Sequence, residues 1–372
     1  MANIFSYINA VGDFVGSRMD NLASYVMKDY AYANSRIKGM KANLLTREQI
    51  ETMISARSVN ELMGLLSNSG YKDDLVALGA RHSGAELVEL ALGRNLARVY
   101  KKILKFTPAR GRETLGALLE RWDVNNLKTI LLAKSFGEKR EKIAPLLLDL
   151  GLLGMNEMNR LMECGSVDEI VEECWNLKYY AVLKEGQLAY RKSGDIAQML
   201  AKLDESYYTS LPSRIREGHR DETIILGLVR AEIDMKNVMN VLRAKKAGME
   251  EKKVRSLMLN GGTILNSELE KLVVAENVEA VVELLRKKYE LVESFDKYRR
   301  DGSLIHFEIE MERRIVEMAI RSLRTSILSI GVVASFIFLK EEEMNNIRKI
   351  VRGIEFGIPK EEIREMVLAM GG

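Results

Sequence analysis

The residue types that most often carry catalysis or bind metals are few in this chain and lie far apart. None of its histidines, His82, His219 and His306, begins a zinc pattern such as H-E-x-x-H. The glycine pair Gly261–Gly262 is not followed by the lysine of a phosphate-binding loop, and no serine stands in a G-x-S-x-G elbow. The histidines are therefore predicted to be ordinary surface or hydrogen-bonded side chains, and no nucleotide or metal site is expected.

Neighbouring carboxylates and the two cysteines are the remaining candidates for chemistry. Glu172–Glu173 and Glu341–Glu343 are predicted on polar helix faces, where carboxylates are normally solvated. Cys164 and Cys174 have glutamates beside them, so neither is expected in the electropositive niche that activates a thiolate. Without zinc spacing, they are interpreted as reduced structural thiols of a cytosolic protein. No catalytic or cofactor-binding residue is predicted.

The composition predicts an all-α globular protein without a nucleic-acid partner. The 372 residues are 47% hydrophobic and 29% charged, and only four prolines interrupt a chain rich in good helix formers. The net charge is +3, and basic residues are interleaved with acidic ones instead of forming tracts that bind a polyanion. The most apolar stretch, residues 327–339, is shorter than the ~20 residues that cross a bilayer and is predicted to be a buried helix. Residues 1–20 lack the features of a signal peptide and are expected to remain attached.

One helical phrase recurs three times at intervals of about 110 residues. The copies occupy residues 123–143, 234–254 and 343–363. Apolar residues spaced by three and seven lie on one face of each predicted helix, and a glycine suited to the left-handed helix end follows. These glycines are Gly137, Gly248 and Gly357. A short second helix is predicted after each glycine, and its first buried residues are Ile143, Val254 and Ile363.

A second phrase recurs with the same period and predicts three more helix starts. The residues expected to cap these helices are Ser58, Ser166 and Asn277. Glu61 and Glu169, three residues after the serines, have the spacing of a capping box. A weaker relative of the first phrase, residues 32–50, contains another such pair, Thr46 and Gln49.

A unit of about 110 residues is long enough to bury its own core, unlike the shorter units of a solenoid. The sequence predicts helical domains at 30–140, 141–251 and 252–372, preceded by a helix at 1–29. No proline-rich or glycine-serine linker separates them, so a stiff body is expected. The repeat fits a ring around a central concavity, and it equally fits a linear row.

The polar members of the first phrase are candidate contact residues. One aligned position inside the helix holds Asn126, Asn237 and Asn346. Asparagine competes for backbone hydrogen bonds and does not favour a helix. Each amide either satisfies a neighbouring helix end within its own domain, or all three line a shared surface. Arg243 and Arg352 are aligned as well, although Leu132 stands in the first copy.

With these phrases in view, the chain resembles the C subunit of archaeal A-type ATP synthases, the counterpart of the d subunit of V-type ATPases. The resemblance runs from about Tyr30 to the C-terminus and is carried by YANSRIKGMKANLL, RWDVNNLKTILLAK and AEIDMKNVMNVLRAKKAGM. The most specific stretch is LSIGVVASFIFLKEEEMNNIRKIVRGIEFGIPKEEIRE. The resemblance implies three similar helical domains in a pseudo-threefold, funnel-like arrangement.

The resemblance also implies a non-catalytic role in the central stalk. Such a protein is a socket that stands on the membrane ring of proteolipid (c/K) subunits and receives the foot of the shaft, which consists of the D and F subunits. It carries torque while protons or sodium ions drive the ring, and it needs no cofactor, small-molecule substrate or nucleic acid. The expected location is the cytoplasmic side of the cell membrane, as a peripheral component. The residues expected at these interfaces are Arg36, Lys41, Asn126, Asn237, Arg243, Asn346 and Arg352.

Two features depart from the family. Val332 and Val333 stand where members commonly carry a proline. Residues 1–29 extend beyond the usual start, with an apolar stripe that either packs on the body or touches the ring or lipid. The stripe is Ile4, Ile8, Val11, Val15, Leu22 and Val26. The rival functions are a helical scaffold for another complex and a helical-bundle metal or nucleotide enzyme.

Overall fold

The computed structural model describes residues 30–215, 220–326 and 328–368, and every regular element in these ranges is a helix. The all-α prediction is therefore confirmed. None of these helices is long and apolar enough to cross a membrane. The helix expected at 1–29 and His219 lie outside the described residues.

Within the described ranges the helices fall into groups in which one long helix is followed by shorter ones. After α1 (30–41) come α2 (Arg47–Ile54), α3 (Val59–Leu66), α4 (Lys72–Leu78) and α5 (Gly84–Phe106). Next come α6 (Ala109–Ser135), α7 (Arg140–Ile143), a 3₁₀ turn (Ala144–Leu146), α8 (Met155–Glu163), α9 (Val167–Glu173), α10 (Tyr180–Ser193) and α11 (Ala197–Arg214). Then follow α12 (Arg220–Lys246), α13 (Glu251–Arg255), α14 (Asn266–Val274), α15 (Val278–Leu285), α16 (Val292–Asp301), α17 (Ile305–Thr325), α18 (Ile330–Glu355) and α19 (Lys360–Met366).

The recurring phrase forms the C-terminal half of the long helices α6, α12 and α18, which have 27, 27 and 26 residues. Each helix ends as predicted, because Gly137, Gly248 and Gly357 have φ of +71°, +63° and +67°. The residue after each glycine donates its amide to a carbonyl at the last turn of the helix, at 2.8 to 2.9 Å. The first inward residues of the short helices are fully buried, namely Ile143, Val254 and Ile363.

The second phrase also starts helices as predicted. The side chains of Ser58, Ser166 and Asn277 each accept a hydrogen bond from the amide three residues later, at the starts of α3, α9 and α15. The capping-box prediction was wrong for the two serines, since Glu61 and Glu169 accept from the amide one residue before the serine. The box of Thr46 and Gln49 at α2 is confirmed in both directions.

A buried carboxylate on α6 organises the segment between α7 and α8. Asp123 accepts hydrogen bonds from the amides of Leu152 and Leu153 at 3.0 and 2.8 Å, and from the Tyr179 hydroxyl at 3.2 Å. Burial raises the pKa of the Asp123 carboxyl, although these donors oppose the shift. This acid–tyrosine node ties the returning chain to the long helix.

The same node recurs at the aligned position of α12. Asp234 accepts from the amides of Thr263 and Ile264 at 2.8 and 3.0 Å, and from the Tyr289 hydroxyl at 3.0 Å. The spacings from the acid to the bonded amides match those of the first node. Two separate segments therefore fold around one pattern of buried acid, two amides and a tyrosine.

The third node joins the two ends of the described chain. Glu343 of α18 accepts from the Leu45 amide at 2.5 Å and from the Tyr71 hydroxyl at 2.8 Å, and it pairs with Lys340. α18 packs on α2, α3 and α5, just as α6 packs on α8, α9 and α11, and as α12 packs on α14, α15 and α17. The helices that pack on α18 as α8, α9 and α11 pack on α6 therefore come from the start of the described chain.

The aligned asparagines have internal partners in all three places. Each amide exchanges two hydrogen bonds with the backbone of the leucine 22 residues later, at 2.7 to 3.0 Å. The pairs are Asn126 with Leu148, Asn237 with Leu259, and Asn346 with Leu368. These bonds support the first of the two alternatives for the asparagines and fix the chain that follows each short helix.

We predict that Asn237→Ala lowers the free energy of unfolding by about 2 to 4 kcal/mol, because it leaves two buried backbone groups of Leu259 without partners. The matched control is the exposed Asn43, which has one local hydrogen bond to Gly39. Asn43→Ala is expected to change the free energy of unfolding by less than about 0.5 kcal/mol. Urea unfolding followed by circular dichroism measures both. Equal effects of the two substitutions would contradict the structural role.

The seam between α17 and α18 contains two carboxylates for one lysine. Lys349 pairs with Glu312 at 2.8 Å and lies 3.6 Å from Glu342. Burial raises the pKa of Glu342 to about 7, with Lys349 opposing the shift and Glu312 adding to it. A group whose pKa is raised on folding stabilises the fold only while it stays protonated, so this contribution is lost as the pH rises from about 4.5 through 7.

Glu342→Gln is therefore expected to stabilise the protein at pH 8 by up to about 3 kcal/mol relative to the parent chain, and by much less at pH 5. Urea midpoints of both proteins at the two pH values give the comparison. The exposed Glu361 supplies a control, and Glu361→Gln should show little difference at either pH. A gain that is the same at pH 5 and pH 8 would rule out titration of Glu342 as its cause.

Candidate functional site

Two residues before each node acid, the long helices bring three charged side chains together. Arg121 Nη1 lies 3.1 Å from Glu341 and 3.5 Å from Glu232, and the side chains are only 11 to 14% exposed. The three positions are aligned in the repeat, so equivalent points of α6, α12 and α18 meet here. We call this set the charged layer.

Aromatic side chains lie around the charged layer, and two of them donate hydrogen bonds to its acids. The hydroxyls of Tyr100 and Tyr208 donate to Glu341 and Glu232 at 2.5 and 2.6 Å. The guanidinium of Arg121 also lies 4.9 Å from the ring centre of Phe338. Burial raises the pKa of Glu341, and Arg121 opposes that shift. The layer contains one cation and two acids, so Arg121 is the positive charge that compensates the two carboxylates.

A polar cavity of about 260 Å³ opens beside this layer. Its walls come from α6, α11, α12 and α18. The side chains along the wall are Arg121, Trp122, Val124, Asn125, Asp204, Tyr207, Tyr208, Glu232, Lys236, Glu341, Met344, Asn345 and Arg348. The cavity is therefore the place where the three long helices jointly face open space.

The wall residues follow the same order on each long helix. Four residues beyond the charged layer stand Asn125, Lys236 and Asn345, again at aligned positions, and Arg348 follows on α18. Equivalent positions of the three long helices therefore line one cavity. Arg348 pairs with Glu89 of α5 at 2.9 Å, and Lys236 lies 5.3 Å from the ring centre of Tyr208.

The predicted contact residues divide into two groups. Asn126, Asn237 and Asn346 are at most 2% exposed and have both amide atoms bonded within the chain, so we no longer propose them as contacts. Arg243 and Arg352 lie seven residues beyond the wall positions 236 and 345 and are about half exposed. They pair with Glu308 at 2.8 Å and with Glu355 at 2.7 Å.

The two cations of α1 are not among the residues that line the cavity. Arg36 is exposed and stacks 5.8 Å from the ring centres of Tyr32 and Phe106. Lys41 is half-buried at the last turn of the helix. Their role as contacts stays a prediction, on a different face from the cavity wall.

Sequence reasoning missed the charged layer. Glu341–Glu343 were expected to be solvated, and this was wrong, because the side chains of Glu341 and Glu342 are only 12% and 9% exposed and Glu343 is fully buried. Their position close to the aligned asparagine could have indicated that they are buried. The aligned residues Arg121, Glu232 and Glu341 differ in type, however, so the repeat did not reveal the ion pairs. By contrast, Glu172 is exposed and pairs with Lys184, as a solvated carboxylate does.

The residues considered for chemistry remain dispersed. His82 pairs with Glu86 and His306 with Asp301 at 2.9 and 2.6 Å, so both are hydrogen-bonded side chains. Burial raises the pKa of the Cys174 thiol to about 12, so it is not an activated nucleophile. Among the described residues no cluster of three or more His, Cys, Asp or Glu side chains has the geometry to hold a metal ion.

Comparison with known sequences identifies the family of this chain. The sequence profile described as ATP synthase (C/AC39) subunit matches residues 33–366. The chain belongs to this family. It is 31% identical over 344 residues to the A-type ATP synthase C subunit of Methanosarcina barkeri, covering 92% of this chain and 93% of that protein. The C subunit of Thermoplasma acidophilum is 27% identical over 348 residues, covering 91% of this chain and 98% of the relative.

We predict that Arg121→Met lowers the free energy of unfolding by about 3 to 5 kcal/mol, because Glu232 and Glu341 would be left buried without a cation. Adding Glu232→Gln and Glu341→Gln should restore at least half of the loss, since the uncompensated charges are then gone. Urea midpoints measure the effect, and Arg112→Met at an exposed position of α6 is the control. If the triple variant is no more stable than Arg121→Met, the charge balance is not the reason for the layer.

Proposed function

We propose that this chain is the non-catalytic central-stalk component of a rotary A/V-type ATP synthase. In this role it couples the central shaft to the proteolipid ring during proton or sodium transport. The family membership supports the complex, since its relatives are named as C subunits of A-type ATP synthases. The partners in this proposal are the D and F subunits of the shaft and the ring, and the location is the cytoplasmic face of the membrane, as a peripheral component.

The proposal includes a pseudo-threefold body of three similar units. The support is the node pattern, which recurs at Asp123, Asp234 and Glu343 with the same kinds of donors. We propose units built from α6–α11, from α12–α17, and from α18–α19 together with α2–α5. The sequence predicted three consecutive domains of nearly equal length. We propose these different boundaries because they keep each acid and the amides that it binds within one unit.

The observation that carries the functional proposal is the cavity between α6, α12 and α18. A shaft that is gripped from several sides needs a concave surface to which every unit contributes, and aligned positions of all three long helices line this cavity. The charged layer joins the three units through buried ion pairs, and each node holds one unit together through buried hydrogen bonds, which limits bending. A torque-carrying adaptor requires that stiffness.

A helix with its side chains is about 10 to 12 Å across. A cavity of about 260 Å³ is too small to enclose one. We therefore propose that the described cavity is the floor of the socket. The helix faces beyond it, at Arg243 and Arg352, form its wall, because they continue the same aligned series. The exposed Phe136 and Phe356 end this series at equivalent positions of α6 and α18. Aromatic and arginine side chains are frequent at the centres of protein interfaces.

The test is binding of the purified chain to a shaft complex of the D and F subunits, measured by biolayer interferometry. The double variant Lys236→Glu/Arg348→Glu reverses two cavity charges and is expected to weaken binding at least tenfold. The matched control Lys252→Glu/Lys253→Glu makes the same charge change on the exposed helix α13 and should bind as the parent does. Equal affinity of all three proteins would contradict the cavity as the shaft site. Absence of any binding by the parent would contradict the stalk role and favour a scaffold in another complex.

A further inference from the structure

A groove between α5 and the segment that leads into α8 has no part in the cavity. Its volume is about 650 Å³. The apolar side chains along it are Leu78, Leu90, Ala97, Pro145, Leu147, Leu148 and Met155. Gly93 of α5 forms its base, because a Cβ atom at this position would lie 2.3 Å from a methyl carbon of Leu148. The two walls are thus in direct contact below an open apolar trough.

One wall of this groove is strongly basic. Five cations of α5 line it, while the acid on the opposite wall is Asp149. The cations are Arg94, Arg98, Lys101, Lys102 and Lys105.

Part of this charge is neutralised within the chain. The buried Asp74 pairs with Arg94 and Arg98 at 3.4 and 2.8 Å, and Asp149 pairs with Lys101 at 2.5 Å. Within the described ranges, no carboxylate lies within ion-pair distance of Lys102 or Lys105. An excess of positive charge therefore faces the groove.

The internal repeat shows that the fold does not require these cations. α11 packs on α6 as α5 packs on α18, and Tyr71 and Tyr179 of the nodes set the alignment of the two helices. The positions of α11 equivalent to the five cations hold Lys202, Ser206, Thr209, Ser210 and Ser213. The helix α11 therefore packs in the same way, although only one of these five positions holds a cation.

The exposed part of the apolar wall is also specific to this place. Met155, which lines the groove, is 40% exposed, and its counterpart after α13 is the polar Asn266. Leu146 and Leu152 of the same segment are also exposed, although they do not line the groove. Exposed apolar side chains beside two unpaired lysines are typical of a binding surface.

We propose that this groove is a docking site for an acidic amphipathic helix of a protein partner. The cations from residue 94 to residue 105 extend for roughly 16 Å along α5, at the rise of 1.5 Å per residue, and so match the acidic flank of a helix of three turns. The apolar trough would take the hydrophobic face of that helix, as in other helix-in-groove complexes. A flat bilayer surface cannot enter a concave trough, and a single phosphate would leave the apolar side chains of the trough uncovered.

The test places the photo-crosslinking residue benzoylphenylalanine at Met155 in the chain, within the assembled complex purified at low ionic strength. The expected adduct, identified by mass spectrometry, joins Met155 to a partner segment with apolar residues at helical spacing and acidic residues on one flank. An adduct to lipid, to a second copy of this chain or to its own residues 1–29, or no adduct at all, would overturn the proposal. The docking site does not depend on the shaft site, since the shaft-binding test reports on different residues.

Charge reversal at the free cations makes the test specific. Lys102→Glu/Lys105→Glu breaks no ion pair within the described residues and should lower the yield of the Met155 adduct at least tenfold. Lys252→Glu/Lys253→Glu changes the net charge equally and should leave the yield unchanged. A urea midpoint equal to that of the parent shows that both variants are folded. An adduct that survives the reversal at Lys102 and Lys105 would also overturn the proposal, because the charge would then have no role in docking.

Discussion

The structure depends on one constraint, which is that a carboxylate buried on each long helix needs hydrogen-bond donors. Asp123 and Asp234 obtain them from backbone amides of the chain that follows and from a tyrosine hydroxyl, whereas Glu343 obtains them from the Leu45 amide, the Tyr71 hydroxyl and Lys340. A buried acid without such partners would cost several kcal/mol, so each acid restricts where its partner segment can lie. The asparagine three residues later on each helix binds the backbone of a leucine 22 residues further on, which fixes a point of the chain that follows. The acid and the asparagine on each long helix thus fix the positions of the segments that bind them. Hydrophobic burial alone would not fix these positions.

This constraint explains how the two ends of the described chain come to lie in contact. Glu343 near the C-terminus finds its donors at Leu45 and Tyr71 near the start of the described residues. Closing this contact brings α18 beside α5 and leaves the equivalent faces of α6, α12 and α18 around one cavity. The charged layer of Arg121, Glu232 and Glu341 then joins the three helices across their meeting point. Buried ion pairs at the meeting point of the long helices limit bending there, as the proposed mechanical role requires.

The sequence predicted most of the features whose cause is local, although the capping boxes at Ser58 and Ser166 were wrong. Helix periodicity, the glycine ends such as Gly137 and the serine caps such as Ser58 depend on residues within one turn, and each was predicted. The charged layer was not predicted, because its members are different residue types that lie about 110 positions apart and meet only after folding. Asn237 was found but was also assigned to an interface, since a polar residue in a helix does not indicate whether its partner is internal. The basic wall of α5 was not recognised, because its cations are interleaved with apolar residues in the sequence.

The central claim is that the cavity between the three long helices receives the shaft. A spin label at Lys236, read by electron paramagnetic resonance before and after addition of the D and F subunits of the shaft, tests it most directly. The account predicts that this label is immobilised on binding, while a label at Lys252 on the outer helix α13 keeps its mobility. A label at Lys236 that stays equally mobile in a complex shown to contain the shaft would contradict it.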